Sequence, residues 1–206
     1  MYYDIVKNEL TSFIEKYQKN PFEFLTEYDL QSYLYFKIFD NFEKNNIKIK
    51  IETTDDDKSV RIFNPSKIIE INPTRREYSA FDGFDIAIID NENIEKKLSG
   101  YWHQLLKIAI EIKYHRSSMG NSVNKLIKGF EKDINKLTTY DKRIDNSNFY
   151  GIAILFIQNN SDKKESELEE KFNDGYTKVN NISKNLFRNK ISSFIVTKKY
   201  IYLKNT

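Results

Sequence analysis

Ile5, Val6, Leu10, Phe13, Ile14 and Tyr17 recur at the three- and four-residue spacing of one helical face, which predicts a helix over residues 3–19. Pro21 closes it, because the residue before a proline avoids helical geometry. Leu30, Leu34, Ile38 and Phe42 form a second stripe and predict a helix to about Lys44. Thr26 is its expected N-cap, with Asp29 as the third-position partner of a capping box. Beyond it the period shortens to two. Ile47, Ile49 and Ile51 alternate with lysines, and residues 60–78 read as extended with interruptions at Pro65 and Pro73. Asp85-Ile86-Ala87-Ile88-Ile89 predicts a strand after the Asp82-Gly83 turn, and residues 91–104 read as a polar loop or short insertion. Leu105 to Tyr114 predicts a buried strand with charges at its far end. A helix over about 121–139 turns Val123, Leu126, Ile127, Phe130, Ile134 and Leu137 inward, and Phe149 to Ile157 is a near-continuous apolar strand. A charged helix at 162–174 follows. Phe194–Thr197 and Tyr200–Leu203 close the chain as a strand pair or one bent strand. Buried strands interleaved with helices define an α/β layer fold around a mixed sheet. The 206 residues read as one domain, with a core at about 26–158 and a C-terminal helix and strand extension.

Composition narrows the function. Fifteen Phe, 14 Tyr and one Trp can fill a core, which excludes general disorder. Lys and Arg total 33 against 30 Asp and Glu. The net charge of +3 excludes a histone-like polycation and leaves room for a local basic face. There is no cysteine, hence no disulfide, thiolate metal site or Cys nucleophile, and the only histidines, His103 and His115, do not make a His-rich zinc centre. No apolar run approaches the roughly 20 residues of a membrane span. The first residues lack a signal-peptide pattern, so a soluble, cytoplasmic chain is expected.

Acid-x-Lys triplets are common in so Lys-rich a chain, and five occur. Four lie in polar loops or on a charged helix, where solvated surface explains them. Glu111-Ile112-Lys113 differs, because four of the five residues before it are apolar. On a strand, Glu111 and Lys113 point to one face, and burying either charge unpaired costs several kcal/mol. Asp85 stands at the mouth of a second apolar strand. If the two strands are neighbours, Asp85 and Glu111 can converge on one hard divalent cation, Mg²⁺ or Mn²⁺. Lys113 beside them can contact a scissile phosphate and position or deprotonate a water.

Gly83-Phe84-Asp85-Ile86-Ala87-Ile88, followed some twenty-five residues later by Ile110-Glu111-Ile112-Lys113, resembles the PD-(D/E)XK nuclease superfamily. Thr26-Glu27-Tyr28-Asp29-Leu30-Gln31 is similar to the Glu-bearing first core helix of many members. The resemblance covers about residues 26–158 and keeps the family order of helix, strands, Asp strand, Glu-x-Lys strand, helix and strand. It implies a three-layer α/β/α restriction endonuclease-like core and a metal-dependent DNA endonuclease of the restriction, junction-resolving or repair type. By the same match, Asp85, Glu111 and the Ile112 carbonyl would be metal ligands and Lys113 the catalytic lysine. Glu27 would assist a metal-bound water or a second cation. The proline often found before the motif aspartate is replaced by Phe84. Members are often homodimers, which suits a two-fold substrate.

Local charge also points to nucleic acid. From Lys113 to Arg143 there are eight Lys or Arg against three acids. Lys125, Lys128, Lys132 and Lys136 recur on the outer side of their helix, and the final 32 residues hold seven Lys or Arg and no acid. Arg75, Arg76 and Arg116 flank the motif strands as individual phosphate contacts. Asp82 is an alternative ligand to Asp85. His115 reads as a surface histidine at a strand end. The rival reading keeps the fold and the basic surface, as a nucleic-acid-binding or assembly module without catalysis.

Overall fold

The computed structural model describes residues 2–45, 60–63, 84–90, 95–96, 102–103, 106–116, 123–144, 149–158, 170, 172 and 175–205. Helix α1, Tyr2–Lys19, buries the six stripe residues expected of it, and Asn20 leads into a 3₁₀ turn at Pro21–Glu23. Helix α2, Glu27–Lys44, begins at Thr26 with the capping box complete. The Thr26 hydroxyl accepts from the Asp29 N–H, and the Asp29 carboxylate accepts from the Thr26 N–H. Leu30, Leu34, Ile38 and Phe42 are buried along α2, each contributing about 1.5–3 kcal/mol of gross burial.

Among the described residues there are nine strands: β1 Val60–Phe63, β2 Ile86–Asp90, β3 Glu95–Lys96, β4 Trp102–His103, β5 Leu106–Arg116, β6 Tyr150–Gln158, β7 Tyr176–Val179, β8 Ile191–Val196 and β9 Ile201–Lys204. Helix α3, Val123–Ile144, links β5 to β6 and runs further than its apolar stripe predicts. Among the described residues, seven strands form one mixed sheet in the order β1-β2-β5-β6-β8-β9-β7. The centre, β5-β6-β8, is parallel, and every other neighbouring pair is antiparallel. Residues 91–104, read as a polar loop or short insertion, contain the two-residue ladder of β3 with β4. The chain's end resolves as the β8–β9 pair, turning at Lys198-Lys199 with the Thr197 hydroxyl oxygen accepting from the Tyr200 N–H. Ile47, Ile49, Ile51, residues 64–83 and most of 162–174 lie outside the described residues.

Alternation along the central strands divides the core. Ile86, Ile88, Ile108, Ile110, Ile112, Tyr114, Ile152, Ile154 and Phe156 pack with α1 and α2. Ala87, Ala109, Ala153, Leu155 and Ile157 pack with Phe130, Ile134, Leu137 and Tyr140 of α3. The small residues of this second face let α3 lie close to the sheet, and Gly151 is the tightest point. A Cβ there would meet Ile191 Cδ1 at 2.6 Å and Leu137 Cβ at 3.1 Å. No helix among the described residues is long and apolar enough to cross a membrane.

Candidate active site

Strand β2 pairs with β5 only from Ile89↔Leu106 to Ile86↔Ile110. Beyond Ile110, β5 is paired with β6 on one side and has lost β2 on the other. The main-chain groups along that open edge need partners, since an unpaired buried donor costs about 1–3 kcal/mol. Two carboxylates supply them. Asp85 Oδ2 accepts from the Ile112 N–H at 2.7 Å, and Glu27 Oε2 accepts from the Tyr114 N–H at 3.0 Å. Asp85 immediately precedes β2, and Glu27 opens α2. Both acids therefore sit where a strand or helix begins and where β5, among the described residues, continues with a strand on its β6 side only.

Glu111 and Lys113 project from the same stretch of β5 onto the α3 face. Glu111 is 5% exposed. Its Oε1 accepts from Lys136 Nζ at 2.5 Å. Lys113 Nζ pairs with Asp133 Oδ2 at 3.0 Å. Gly129 faces the Lys113 stem, with Cε 3.8 Å from where a Cβ would stand. Residues 129, 133 and 136 thus form a stripe of α3 beside its apolar one, laid over the charged part of β5. Lys136 also lies over the Phe84 ring, 4.7 Å from its centroid.

The electrostatics follow from this crowding. Burial raises the Asp85 pKa to about 6; the Ile112 hydrogen bond opposes the rise and the Glu27 charge adds to it. Burial also raises Glu111, to about 8, with the Asp85 charge as the next cause and Lys136 opposing. Lys113 moves the other way from its burial. Desolvation disfavours its ammonium, but Asp133, Glu27 and Asp85 together hold its pKa above the ordinary lysine value. The site is a desolvated cluster of mutually repelling acids, with two lysines as counter-charges.

Of the residues singled out from the sequence, Glu27, Asp85, Glu111, Ile112 and Lys113 come together here. Arg116 ends β5 with its Nε buried and unbonded. Lys125 and Lys128 are exposed on α3, as is Lys132. Arg75, Arg76 and Asp82 lie outside the described residues. Two expectations need correction. Lys136 is not an outward lysine, because its helix position borders the apolar stripe and its stem reaches Glu111. His115 is buried at 7% exposure, since β5 runs to Arg116 and remains paired with β6 throughout. Asp133 and Lys136 were the residues the sequence pattern did not single out as site members. Their signal was the four-, then three-residue spacing Gly129-Asp133-Lys136.

Among the described residues no three His, Cys, Asp or Glu side chains stand ready as a metal cage. Asp85 and Glu111 nevertheless suit a hard cation by their chemistry. Both donors are carboxylates, each raises the other's electrostatic cost, and a divalent ion would relieve the repulsion that Lys136 offsets in part. No protein-family model, curated protein or solved structure matches the chain.

Proposed function

We propose that this chain is a Mg²⁺- or Mn²⁺-dependent endonuclease hydrolysing phosphodiester bonds in DNA, on a three-layer α/β/α core of the PD-(D/E)XK type. The observation that carries the reading is the meeting of Asp85, Glu111, Lys113 and Glu27 along the open edge of β5. Helices against both sheet faces support the layer assignment. Asp85 and Glu111 would hold the cation. The Ile112 carbonyl, which shares its strand edge with the Ile112 N–H, would be the next oxygen available. Bound there, the cation would polarise a phosphoryl oxygen and bring the pKa of a water towards neutrality.

The chain's own groups supply the rest. Lys113, kept protonated by Asp133, meets the scissile phosphate as a cation and hydrogen-bond donor rather than taking a proton from water. Glu27 holds Tyr114 with one oxygen and can orient the attacking water with the other. Arg75, Arg76, Arg116, Lys125 and Lys128 serve as phosphate contacts. One such centre cuts one strand, so cutting both strands calls for a homodimer.

Incubation of plasmid, linear, single-stranded and branched DNA with Mg²⁺ or Mn²⁺ tests this. Wild-type protein should cut at least one of these, and Asp85→Ala or Lys113→Ala should abolish it. Undiminished cleavage by either variant would overturn the assignment.

The Glu111–Lys136 and Lys113–Asp133 pairs favour a second reading, in which the cluster is neutralised within the fold and only nucleic-acid binding remains. Calorimetry separates the two: a binding module keeps DNA affinity and shows no Mn²⁺ site dependent on Asp85 and Glu111.

A further inference from the structure

A cavity of about 310 Å³ opens where the β8–β9 ladder ends. Strand β8 is paired with β6 from Ile191 onward, but with β9 only from Phe194↔Leu203, so the start of β8 runs past that ladder. Asn185, Arg188 and Asn189, from the turns between β7 and β8, line the cavity together with Ser192, Leu203 and Lys204. Among the described residues no Asp or Glu lines it. Arg188 is exposed, and no described carboxylate pairs with it. The side-chain amides of Asn185 and Asn189 have no partner among the described residues either. The Ser192 hydroxyl makes one long bond, 3.3 Å, to the Asn185 carbonyl. Lys204 adds little charge, because Glu131 of α3 holds its ammonium. Arg188 is therefore the cation available to a ligand.

The turn that carries Arg188 is held in shape. The Asn185 and Leu186 N–H groups donate to the Ile182 carbonyl at 2.9 and 3.0 Å, and the Ser183 N–H donates to Asn181 Oδ1 at 2.6 Å. Phe187 stands at a φ of 62°, in the left-handed region that bulky side chains avoid. Its ring meets Tyr3 and Tyr150 edge-on, with centroids 5.2 and 5.3 Å away. A strained residue persists where its surroundings over-determine it, and such residues cluster at ligand sites. This one immediately precedes Arg188.

We infer that this cavity is a phosphoryl-binding site, distinct from the carboxylate cluster. A guanidinium offers paired N–H groups to two oxygens of an anion, a geometry that carboxylate and phosphate both fit. A phosphoryl group has a third oxygen, and the open amides of Asn185 and Asn189 are donors for it. The volume lies near the lower end of small-ligand pockets, roughly 300–1,000 Å³, and suits one phosphate ester rather than a duplex. Residues 175–206 hold seven Lys or Arg and no acid, so the chain that builds the turn does not oppose an anion. Ser192, in register with Phe194 and Val196, and Leu203 belong to the sheet face that α1 and α2 cover, whereas Glu111 and Lys113 face α3. Strand β6 also stands between β5 and β8. The inference does not rest on the nuclease reading.

The test titrates the metal-free full chain, followed by ¹H–¹⁵N NMR, with inorganic phosphate, thymidine 5′-monophosphate and acetate. The side-chain amides of Asn185 and Asn189 should shift with phosphate and with the nucleotide, at affinities at least about tenfold above that for acetate. Arg188→Gln should lose about tenfold or more of the phosphate affinity at an unchanged melting temperature. Arg188→Lys, which keeps the charge and loses the fork, should regain only part of it. No shift at these amides, acetate binding as tightly as phosphate, or an Arg188→Gln variant that binds phosphate like wild type would overturn the site. A 12-mer DNA strand distinguishes the sources of the phosphoryl group. If Arg188→Gln weakens the strand by the same factor as the mononucleotide, the strand's phosphates reach the cavity; if the strand is unaffected, the ligand is a free nucleotide.

Discussion

Asp85 gives one carboxylate oxygen to the main-chain N–H of Ile112, at 2.7 Å, and so closes the strand edge that β2 leaves open. One side chain therefore has two tasks, terminating a ladder and offering a carboxylate to the pocket. The tasks separate by substitution. Asp85→Asn keeps an acceptor for Ile112 and removes a charge that burial disfavours. It should match or exceed wild-type stability at pH 8 in urea denaturation, while Asp85→Ala, which leaves the donor unpaired, falls below Asp85→Asn by about 1–3 kcal/mol. Both should lose divalent-ion binding.

The raised acids set a pH dependence with a definite sign. Folded Asp85 and Glu111 bind protons more tightly than unfolded carboxylates, which titrate near ~4. Their contribution to stability is complete below that value and is lost as pH rises through about 6 and then about 8. Thermal denaturation of metal-free protein should show stability falling from pH 5 to 9, and Glu111→Gln should flatten the upper half of the fall. Mn²⁺ should reverse the trend. Ions bind the deprotonated acids, so affinity should rise by up to about tenfold per pH unit for each proton displaced.

Lys136 and a divalent ion compete for Glu111. Replacing Lys136 with glutamine removes a positive charge from the rim of the cation site. At pH 9, where protons compete least, Lys136→Gln should bind Mn²⁺ several-fold more tightly than wild type by calorimetry. The same variant should lose stability without metal, because Glu111 is left buried beside Asp85 without its counter-charge.

Much of this arrangement was legible in the chain, for identifiable reasons. The α1 and α2 stripes and the Thr26–Asp29 cap are local, so spacing alone discloses them. Glu111 and Lys113 stood out because charge next to Ile108-Ala109-Ile110 conflicts with burial unless it is used. The hydrogen bonds from Ile112 and Tyr114 were invisible, since a main-chain donor has no residue-type signature. Lys136 was misread because its spacing matches that of Lys125, Lys128 and Lys132, and the Gly129-Asp133-Lys136 spacing that sets it apart gains meaning only once α3 lies over the charged part of β5. Strand β7 has two exposed residues at its centre and no alternation to reveal it.

Two glycines on or under α3 should respond oppositely to alanine. Gly151→Ala forces a Cβ against Leu137, whose own Cβ is tied to the helix backbone, and should cost about 1–3 kcal/mol. Gly129→Ala meets only ordinary contact with the Lys113 stem and removes a helix-interior glycine. It should stabilise by about 0.5–1 kcal/mol. Chemical denaturation of both variants measures the contrast.

A crystal of the protein soaked in Mn²⁺, with anomalous density recorded, addresses the carboxylate pair most directly. The expected result is one strong peak about 2.1 Å from an oxygen of Asp85 and an oxygen of Glu111, with the Lys136 ammonium displaced from Glu111. A peak elsewhere, or an Asp85–Glu111 pair left without one at saturating Mn²⁺, would contradict a shared cation site and the hydrolytic function built on it.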